Sequence, residues 1–187
     1  MGVAPASSPS ELIVYACPAG PLAAQVASFY AASRARFGPN SAHAYPPHIT
    51  LTGFFHDDAE SIPRYLAALG AARERAVAAR PATPVTIREL AFLDTFHGLL
   101  IDSPWLEALA ADFAATVESP SRRDDLRLKS WLHLSLAYGF RPEDGPALAD
   151  MAASMVDVSA PVSWELRLYE RLSDGGWACH GEWDITA

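Results

Sequence analysis

One short pattern constrains this chain more than any other: His-x-Ser/Thr-Leu occurs twice, each time in an apolar, strand-like stretch. The first copy is His-Ile-Thr-Leu at residues 48–51 and the second is His-Leu-Ser-Leu at residues 133–136, close to half the chain length apart. Because successive side chains of a strand point to opposite faces, each copy places an imidazole and a hydroxyl side by side, with apolar residues behind them. The same alternation puts Ala137 on the polar face and Tyr138 on the apolar face. The repetition predicts two equivalent strands and a duplicated architecture.

The residue types in this pattern suit acid–base chemistry on a phosphate ester. Near neutral pH, a neutral histidine can act as general base while a protonated one acts as general acid. Neighbouring hydroxyls can donate hydrogen bonds to the oxygens of a phosphate held between them. We therefore expect His48 and His133 to face one another across a cleft, with Thr50 and Ser135 pointing into the same space.

Further residues near the two copies are candidates for substrate binding. Thr52 shares the polar face of the first strand. Trp131 shares that of the second, where its ring either stacks on a nucleobase or forms a cleft wall. Lys129, with Arg127 before it, reaches this face if the second strand extends back that far, and then binds phosphate or is solvated. Tyr45, just before the first copy, is a further stacking candidate.

The remaining histidines have no repeated hydroxyl partner, so we interpret them as surface or structural residues: His43, His56, His97 and His180. A metal site would need three convergent ligands. The sequence contains no His-x-His, His-Glu-x-x-His or paired-cysteine spacing. We therefore expect neither a metal nor another cofactor.

The composition limits the kinds of molecule that this chain can bind and the compartment in which it is expected. The net charge is −8 and there is a single lysine, which argues against a broad nucleic-acid-binding surface but leaves a small phosphate ester or an RNA terminus open.

No apolar run is long enough to span a membrane. Residues 1–10 lack the basic start of a secretory signal, so a cytoplasmic protein is expected. The sequence leaves the oligomeric state open, with a monomer favoured. Cys17 and Cys179 are too few for a disulfide scaffold and are expected to be buried free thiols.

Strands and helices alternate along the chain, but strands also come in adjacent pairs. Hairpins are predicted at residues 84–102 and 162–185, and the polar stretch 118–125 is interpreted as a crossing between two halves. This combination favours an α+β fold over a doubly wound parallel sheet. We expect two pseudo-symmetric lobes, each an antiparallel sheet backed by helices, with the active-site cleft between them. Residues 1–187 would form a single domain, with the lobes joined near residues 118–126 and the motif strands on opposite walls of the cleft.

The two copies resemble the signature of the 2H phosphoesterase superfamily, which includes the 2′-5′ RNA ligase-like proteins and the cyclic phosphodiesterases. The wider stretches Pro-Pro-His-Ile-Thr-Leu and Leu-His-Leu-Ser-Leu-Ala-Tyr-Gly-Phe are most similar to the phosphoesterase domain of T-cell ubiquitin ligand adaptor proteins. Several RNA ligase-like members carry a basic residue two positions after a motif leucine, where this chain has Gly53 and Tyr138. A substrate contact made there in those relatives is therefore not carried over.

The resemblance implies a metal-independent phosphodiesterase that hydrolyses 2′,3′-cyclic phosphates of nucleotides or RNA ends, with His133 as base and His48 as acid. Because the two copies are alike, the sequence itself does not order these roles. One alternative keeps the chemistry but uses 2′-5′-linked oligonucleotides or RNA end-joining. Another is a nucleotide-binding adaptor module with little turnover, which the intact motif residues argue against.

Overall fold

The computed structural model describes residues 9–81 and 84–185, so most of the predicted polar lead lies outside the described residues. The strands are β1 Ser10–Ala19, β2 Ile49–Thr50, β3 Phe55–Asp57, β4 Thr86–Leu93, β5 Phe96–Asp102, β6 His133–Tyr138, β7 Ser163–Arg171 and β8 Trp177–Asp184. The α-helices are α1 Pro21–Phe37, α2 Ile62–Ala78, α3 Pro104–Thr116 and α4 Gly145–Met155. Each α-helix has proline at its first or second position, where the missing N–H costs nothing. Among the described residues, no helix has the length and apolar character needed to cross a membrane.

The strands form an antiparallel sheet in the order β4-β5-β6-β2-β1-β7-β8, with β3 also paired to β1. Both predicted hairpins are present, β4 with β5 and β7 with β8. The predicted α+β class, an antiparallel sheet backed by helices, is confirmed. The pseudo-symmetry of the two lobes and the single-domain description stay predictions.

The two motif strands do not stand on opposite walls of a cleft. Instead, β2 and β6 are hydrogen-bonded neighbours, paired antiparallel at Ile49 and Leu134, and this pair joins the two halves of the sheet. Strand edges carry unpaired N–H and C=O groups, so pairing the two edges satisfies backbone groups that separate lobes would leave open.

The helices cover one face of this sheet. In β1 the even-numbered side chains Leu12, Val14 and Ala16 belong to the main core, which contains residues from all four α-helices. The odd-numbered side chains form a separate small cluster in which Ile13, Tyr15 and Cys17 pack with Tyr169 of β7 and no helical residue takes part. The face that carries the odd-numbered residues is therefore left for the functional site.

A bulge interrupts the alternation after β2. The backbone N–H groups of Leu51 and Thr52 both point to the carbonyl oxygen of Val14, at 3.0 and 3.4 Å. The register with β1 changes accordingly between the pairs Tyr15–Thr50 and Leu12–Phe55. Between these pairs β1 advances three residues and its partner five, so two extra residues lie between Thr50 and Phe55 and disturb the alternation there. Thr52 is fully buried as a result.

A second bulge lies within β6. Ala137 pairs with His97, whereas Ser135 pairs with the next residue, Gly98, so Leu136 is the extra residue. Beyond this point the faces are exchanged relative to strict alternation. Ala137 is buried in the main core, and Tyr138 is directed to the open face. The assignment of these two side chains by simple alternation was therefore wrong.

The polar stretch after α3 runs as an irregular segment beside residues 51–56. Its backbone is held by Arg123 N–H to His56 O at 2.9 Å, Gly53 N–H to Arg127 O at 2.7 Å and Lys129 N–H to Leu51 O at 3.1 Å. We call residues 118–132 the crossing segment. These contacts bring its last residues to the open face of the sheet.

The two cysteines are both free, but only one is buried. Cys17 lies under the open face of the sheet, whereas Cys179 is exposed. The prediction of two buried thiols was therefore wrong for Cys179. The reason is its place on β8, which ends the sheet and has a strand on one side only.

Candidate active site

A cavity of about 780 Å³ opens on the helix-free face where β2 and β6 meet. Its lining includes all four motif side chains together with three of the other predicted site residues: His48, Thr50, His133, Ser135, Trp131, Lys129 and Tyr45. The register explains this grouping. Because Ile49 pairs with Leu134, residue 48 lies opposite residue 135 and residue 50 opposite residue 133. Each histidine is thus the cross-strand neighbour of the hydroxyl residue of the other copy.

The imidazole of His48 is held on three sides. Its Nδ1 lies 2.7 Å from the carbonyl oxygen of Pro46, and its Nε2 lies 3.0 Å from the hydroxyl oxygen of Thr50. Its ring stacks on Tyr15, with the ring centroids 3.8 Å apart. Because a carbonyl oxygen only accepts, Nδ1 carries the proton in the neutral ring, and the Thr50 hydroxyl donates to Nε2.

His133 is held in the same way. Its Nδ1 lies 3.1 Å from the carbonyl oxygen of Trp131, again two residues earlier in the chain. The indole of Trp131 lies against the imidazole, with centroids 4.1 Å apart, and Phe96 meets the imidazole edge-on at 5.1 Å. A hydrogen bond at one ring nitrogen fixes the tautomer. In both histidines Nε2 is therefore the nitrogen that can exchange a proton with a ligand.

Both imidazoles favour the neutral state in the unliganded protein. Burial is the main reason that the pKa of His48 is lowered to about 4; the hydrogen bond to Pro46 opposes this effect and the charge of His133 adds to it. Burial also lowers the pKa of His133, against the hydrogen bond to Trp131 and together with the charge of Lys129. A bound anion would favour the protonated state of one of them.

An aromatic group supports the His48 side of the cavity. The Trp177 indole N–H donates to the carbonyl oxygen of Ala44 at 2.9 Å and so attaches β8 to the loop before His48. Arg171 lies over the rings of both Tyr45 and Trp177, at 5.4 and 5.5 Å. Tyr45 is 5.8 Å from the His48 ring, centroid to centroid. It is thus part of the cavity wall, and its position is set by β7 and β8.

Sequence reasoning missed several residues of the cavity. Tyr15, Phe96 and Tyr138 all line it, and the tip of the β4–β5 hairpin adds Leu93. Burial and the nearby Tyr45 hydroxyl raise the pKa of Tyr138. The odd-numbered face of β1 could have indicated Tyr15, because strand alternation was visible there; the other three depend on a bulge and on long-range pairing.

One predicted site residue lies elsewhere. The Thr52 side chain does not line the cavity; its hydroxyl oxygen accepts a hydrogen bond from the backbone N–H of Val14 at 3.1 Å. Strict alternation placed it beside Thr50, but the bulge turns it into the sheet. Thr52 is a structural residue, and its assignment to substrate binding is corrected.

The other histidines all lie outside the cavity. His43 caps a 3-10 helix through Asn40, and His97 is buried and contacts the carbonyl oxygen of Gly145. His56 and His180 contact carboxylates, namely those of Asp124 and Glu170. Within residues 9–81 and 84–185, no group of three or more His, Cys, Asp or Glu side chains is arranged to hold a metal ion.

Comparisons of the sequence with curated proteins identify relatives that match most of this chain. No protein-family model matches the chain. Ubiquitin-associated and SH3 domain-containing protein B of Homo sapiens is 32% identical over 169 residues, 87% of this chain and 25% of the relative. Ecdysteroid-phosphate phosphatase of Bombyx mori is 33% identical over 185 residues, 97% of this chain and 27% of the relative. The chain spans about a quarter of the length of these curated relatives.

The fold has a solved counterpart. The crystal structure of E. coli LigT complexed with phosphate covers 97% of this chain and 100% of its own, with a TM-score of 0.50 and 18% identity. The fold and the sequence relatives thus agree. The chain belongs to the 2H phosphoesterase superfamily. In this 2H domain, the two histidines that define the pattern line one cavity where β2 pairs with β6.

Proposed function

We propose that this 2H domain is a metal-independent phosphodiesterase that opens 2′,3′-cyclic phosphates of nucleotides or RNA ends. The observation that carries the proposal is the antiparallel pairing of the two motif strands, which sets His48, Thr50, His133 and Ser135 around one cavity. Two imidazoles can carry out both proton transfers, and two hydroxyls can donate hydrogen bonds to the phosphate oxygens. The match to LigT complexed with phosphate supports the fold on which this site is built.

The proposed reaction needs one imidazole in each protonation state. The neutral histidine takes a proton from water as its oxygen attacks phosphorus, and the protonated histidine gives a proton to the ribose oxygen that leaves. Thr50, which donates to His48 in the unliganded protein, would turn its hydroxyl to a phosphate oxygen and release Nε2. Ser135 would serve a second oxygen from the neighbouring strand.

The order of the two roles is open to direct test. The resemblance implies His133 as base and His48 as acid. The low pKa of His48, about 4 because of burial, favours the opposite order, since an imidazole that stays neutral is ready to accept a proton. Single variants should each remove one limb of the pH dependence, and the limb that is lost identifies the role.

A substrate panel tests the proposal as a whole. It contains the four nucleoside 2′,3′-cyclic phosphates, a 2′-5′ dinucleotide and an RNA with a terminal cyclic phosphate, each with the wild type and with His48→Asn/His133→Asn. We expect the wild type to open the cyclic phosphates and the double variant to be inactive. Turnover of the 2′-5′ dinucleotide alone would move the function to 2′-5′ linkages. Nucleotide binding without any turnover, unchanged in the double variant, would indicate a binding module and refute the proposal.

A further inference from the structure

Two cationic side chains line the cavity in addition to the four motif side chains. Arg127 and Lys129 both line the cavity from the crossing segment, and both are exposed. Their backbone is held by the hydrogen bonds to Gly53 and Leu51, with a bridge between Thr52 and Leu128. Because Arg127 and Lys129 are two residues apart on an extended backbone, their side chains leave it on the same side.

Among the described residues, the charged side chains that line the cavity, apart from histidine, are all basic. The chain has 22 acidic and 14 basic residues, yet no Asp or Glu lines the cavity, whereas Arg127 and the single lysine do. Within the described part of the chain, neither cation has a carboxylate within 4.0 Å, although Arg123 of the same segment pairs with Asp58 at 3.4 Å. Asp124 interacts with Arg127 only at longer range and is itself bound by the backbone N–H and ring of His56, at 2.8 and 2.7 Å.

Glycine at position 53 makes room for the arginine. A β-carbon there would lie 3.3 Å from both Nε and one terminal nitrogen of the Arg127 guanidinium, closer than most side chains tolerate. One edge of the guanidinium thus lies against the backbone of Gly53, although the residue as a whole is exposed. This placement reduces the conformational freedom that an exposed arginine would lose on binding an anion.

The charge of a 2′,3′-cyclic phosphate indicates what the two additional cations could bind. A cyclic phosphodiester carries one negative charge, and two imidazoles and two hydroxyls already surround it in the proposed function. We propose that Arg127 and Lys129 form a second phosphate subsite, which binds the phosphate on the 5′ oxygen of the nucleotide whose cyclic phosphate reacts. This inference rests on the proposed function for the identity of the first phosphate. The substrate class is then a nucleotide with phosphates at both ends of the ribose, either as a free 5′-phosphorylated nucleotide or as the last residue of an RNA.

Three substrates separate these possibilities: adenosine 2′,3′-cyclic phosphate, the same compound with a 5′-phosphate, and a dinucleotide that ends in the cyclic phosphate. Each is assayed with the wild type, Arg127→Gln, Lys129→Gln and the control Arg123→Gln, which removes a charge from the same segment but not from the cavity. We expect the wild type to prefer both substrates that carry the second phosphate. Each cavity variant should lower their kcat/KM by about 5- to 10-fold, between the values of an exposed and a charge-assisted contact. For the plain cyclic nucleotide the loss in each cavity variant should be smaller than for the two substrates with the second phosphate, so the preference of the wild type is reduced, and added salt should weaken it too.

Several outcomes would overturn the subsite. They are a wild type that does not prefer the second phosphate, or an Arg123→Gln variant that loses as much as Arg127→Gln. A preference for the free 5′-phosphate alone, or for the dinucleotide alone, would retain the subsite and identify its source. If no substrate is turned over, the proposed function fails, and calorimetry with adenosine 3′,5′-bisphosphate and adenosine 3′-monophosphate decides the subsite by itself. Equal affinity of the wild type for these two ligands would refute it.

Discussion

At the scale of single residues, the carbonyl group two positions before each histidine determines what the imidazole can do. Pro46 O holds Nδ1 of His48 and Trp131 O holds Nδ1 of His133, so the same local device occurs in both copies of the pattern. Each histidine therefore presents Nε2 to the cavity. This equivalence is what a two-histidine mechanism requires, because either ring can then serve as acid or base.

Loss of either imidazole should remove one proton transfer. We expect His48→Ala and His133→Ala each to lower kcat by about 10²- to 10⁴-fold, with a much smaller change in KM, because the histidines act in the transition state. Steady-state kinetics on a 2′,3′-cyclic nucleotide measures both. His180→Ala, at a histidine that pairs with Glu170 outside the cavity, serves as the control. A motif variant with wild-type kcat would contradict the mechanism.

The pH dependence should differ between free and bound enzyme. In the free protein, burial lowers the pKa of both imidazoles, that of His48 to about 4. As the pH rises, the imidazole that must be protonated therefore loses its proton at a lower pH than an ordinary histidine. The bell for kcat/KM should therefore be centred below the ordinary histidine value of about 6.5. A bound phosphate anion raises the pKa of the imidazole beside it, so the bell for kcat should be centred higher, at about 6 to 7.

The two limbs belong to the interacting pair rather than to single residues. Measurement of kcat and kcat/KM between pH 4 and 9 checks the expected separation between the two pH optima. In each single histidine variant, one limb of the pH profile should be flat. Coincident bells centred above neutral pH would show that the free protein does not hold its imidazoles neutral.

At the scale of secondary-structure elements, two bulges decide which side chains reach the cavity. The one after β2 removes Thr52 from the polar face, and the one in β6 exchanges Ala137 for Tyr138. Both lie directly beside a motif hydroxyl. Bulges of this kind occur where a strand must redirect a side chain next to a site.

Thr50 and Thr52, two residues apart in the chain, should respond differently to the same substitution. Thr52→Val leaves the buried N–H of Val14 without its acceptor and should lower the free energy of unfolding by about 1–3 kcal/mol, with kcat unchanged. Thr50→Val should instead lower kcat by up to about 10²-fold, with little loss of stability. Urea denaturation and kinetics on both variants measure the two effects. A loss of kcat in Thr52→Val without destabilisation would restore Thr52 to the site.

At the scale of the whole molecule, a buried carboxylate connects β3 to α2 and to the crossing segment by hydrogen bonds. Asp57 of β3 is fully buried and accepts a hydrogen bond from the Tyr65 hydroxyl of α2 at 2.6 Å. Burial disfavours its charge, but hydrogen bonds from Ser119, Tyr65, Ser121 and the backbone of Asp58 outweigh this and lower the pKa of Asp57 to about 2. This network fastens the start of the crossing segment, whose end carries Arg127 and Lys129.

The network should contribute to stability in a defined pH window. Because the folded pKa of Asp57 is below its unfolded value, the contribution is complete above about pH 4 and is lost as the pH falls towards 2. Asp57→Asn should lower the free energy of unfolding at pH 7 by about 2 kcal/mol or more, and by less at pH 2.5. Urea denaturation at both values measures this, with the exposed Asp150→Asn as control. An equal loss at both pH values would show that the carboxylate charge does not matter.

Catalysis by this 2H domain should not depend on a bound metal ion. The two imidazoles supply both proton transfers, so hydrolysis of a 2′,3′-cyclic nucleotide should survive prolonged treatment with a chelator. The rate before and after dialysis against chelator measures this. Activity that is lost and then restored by Zn²⁺ or Mn²⁺ would assign the protein to the metal-dependent phosphodiesterases.

Local patterns in the sequence were sufficient for the class of fold and for the centre of the site. Alternation and turn residues predicted the two hairpins, and the order of strands and helices predicted the α+β class, because these signals act over a few neighbouring residues. The duplicated His-x-Ser/Thr-Leu pattern indicated His48, Thr50, His133 and Ser135, all of which line one cavity. Thr50 lies in β2, His133 and Ser135 lie in β6, and His48 directly precedes β2, where strict alternation still holds.

Only the tertiary structure decided how the two copies meet. The pairing of Ile49 with Leu134 joins residues far apart in the chain, and no local period encodes such a partner. The bulges that bury Thr52 and expose Tyr138 to the cavity depend on the register with β1 and β5. The crossing segment brings Arg127 and Lys129 to the site through backbone hydrogen bonds, which are formed without regard to side-chain type. Periodicity thus determined which side chains could act, and long-range backbone pairing determined where they act.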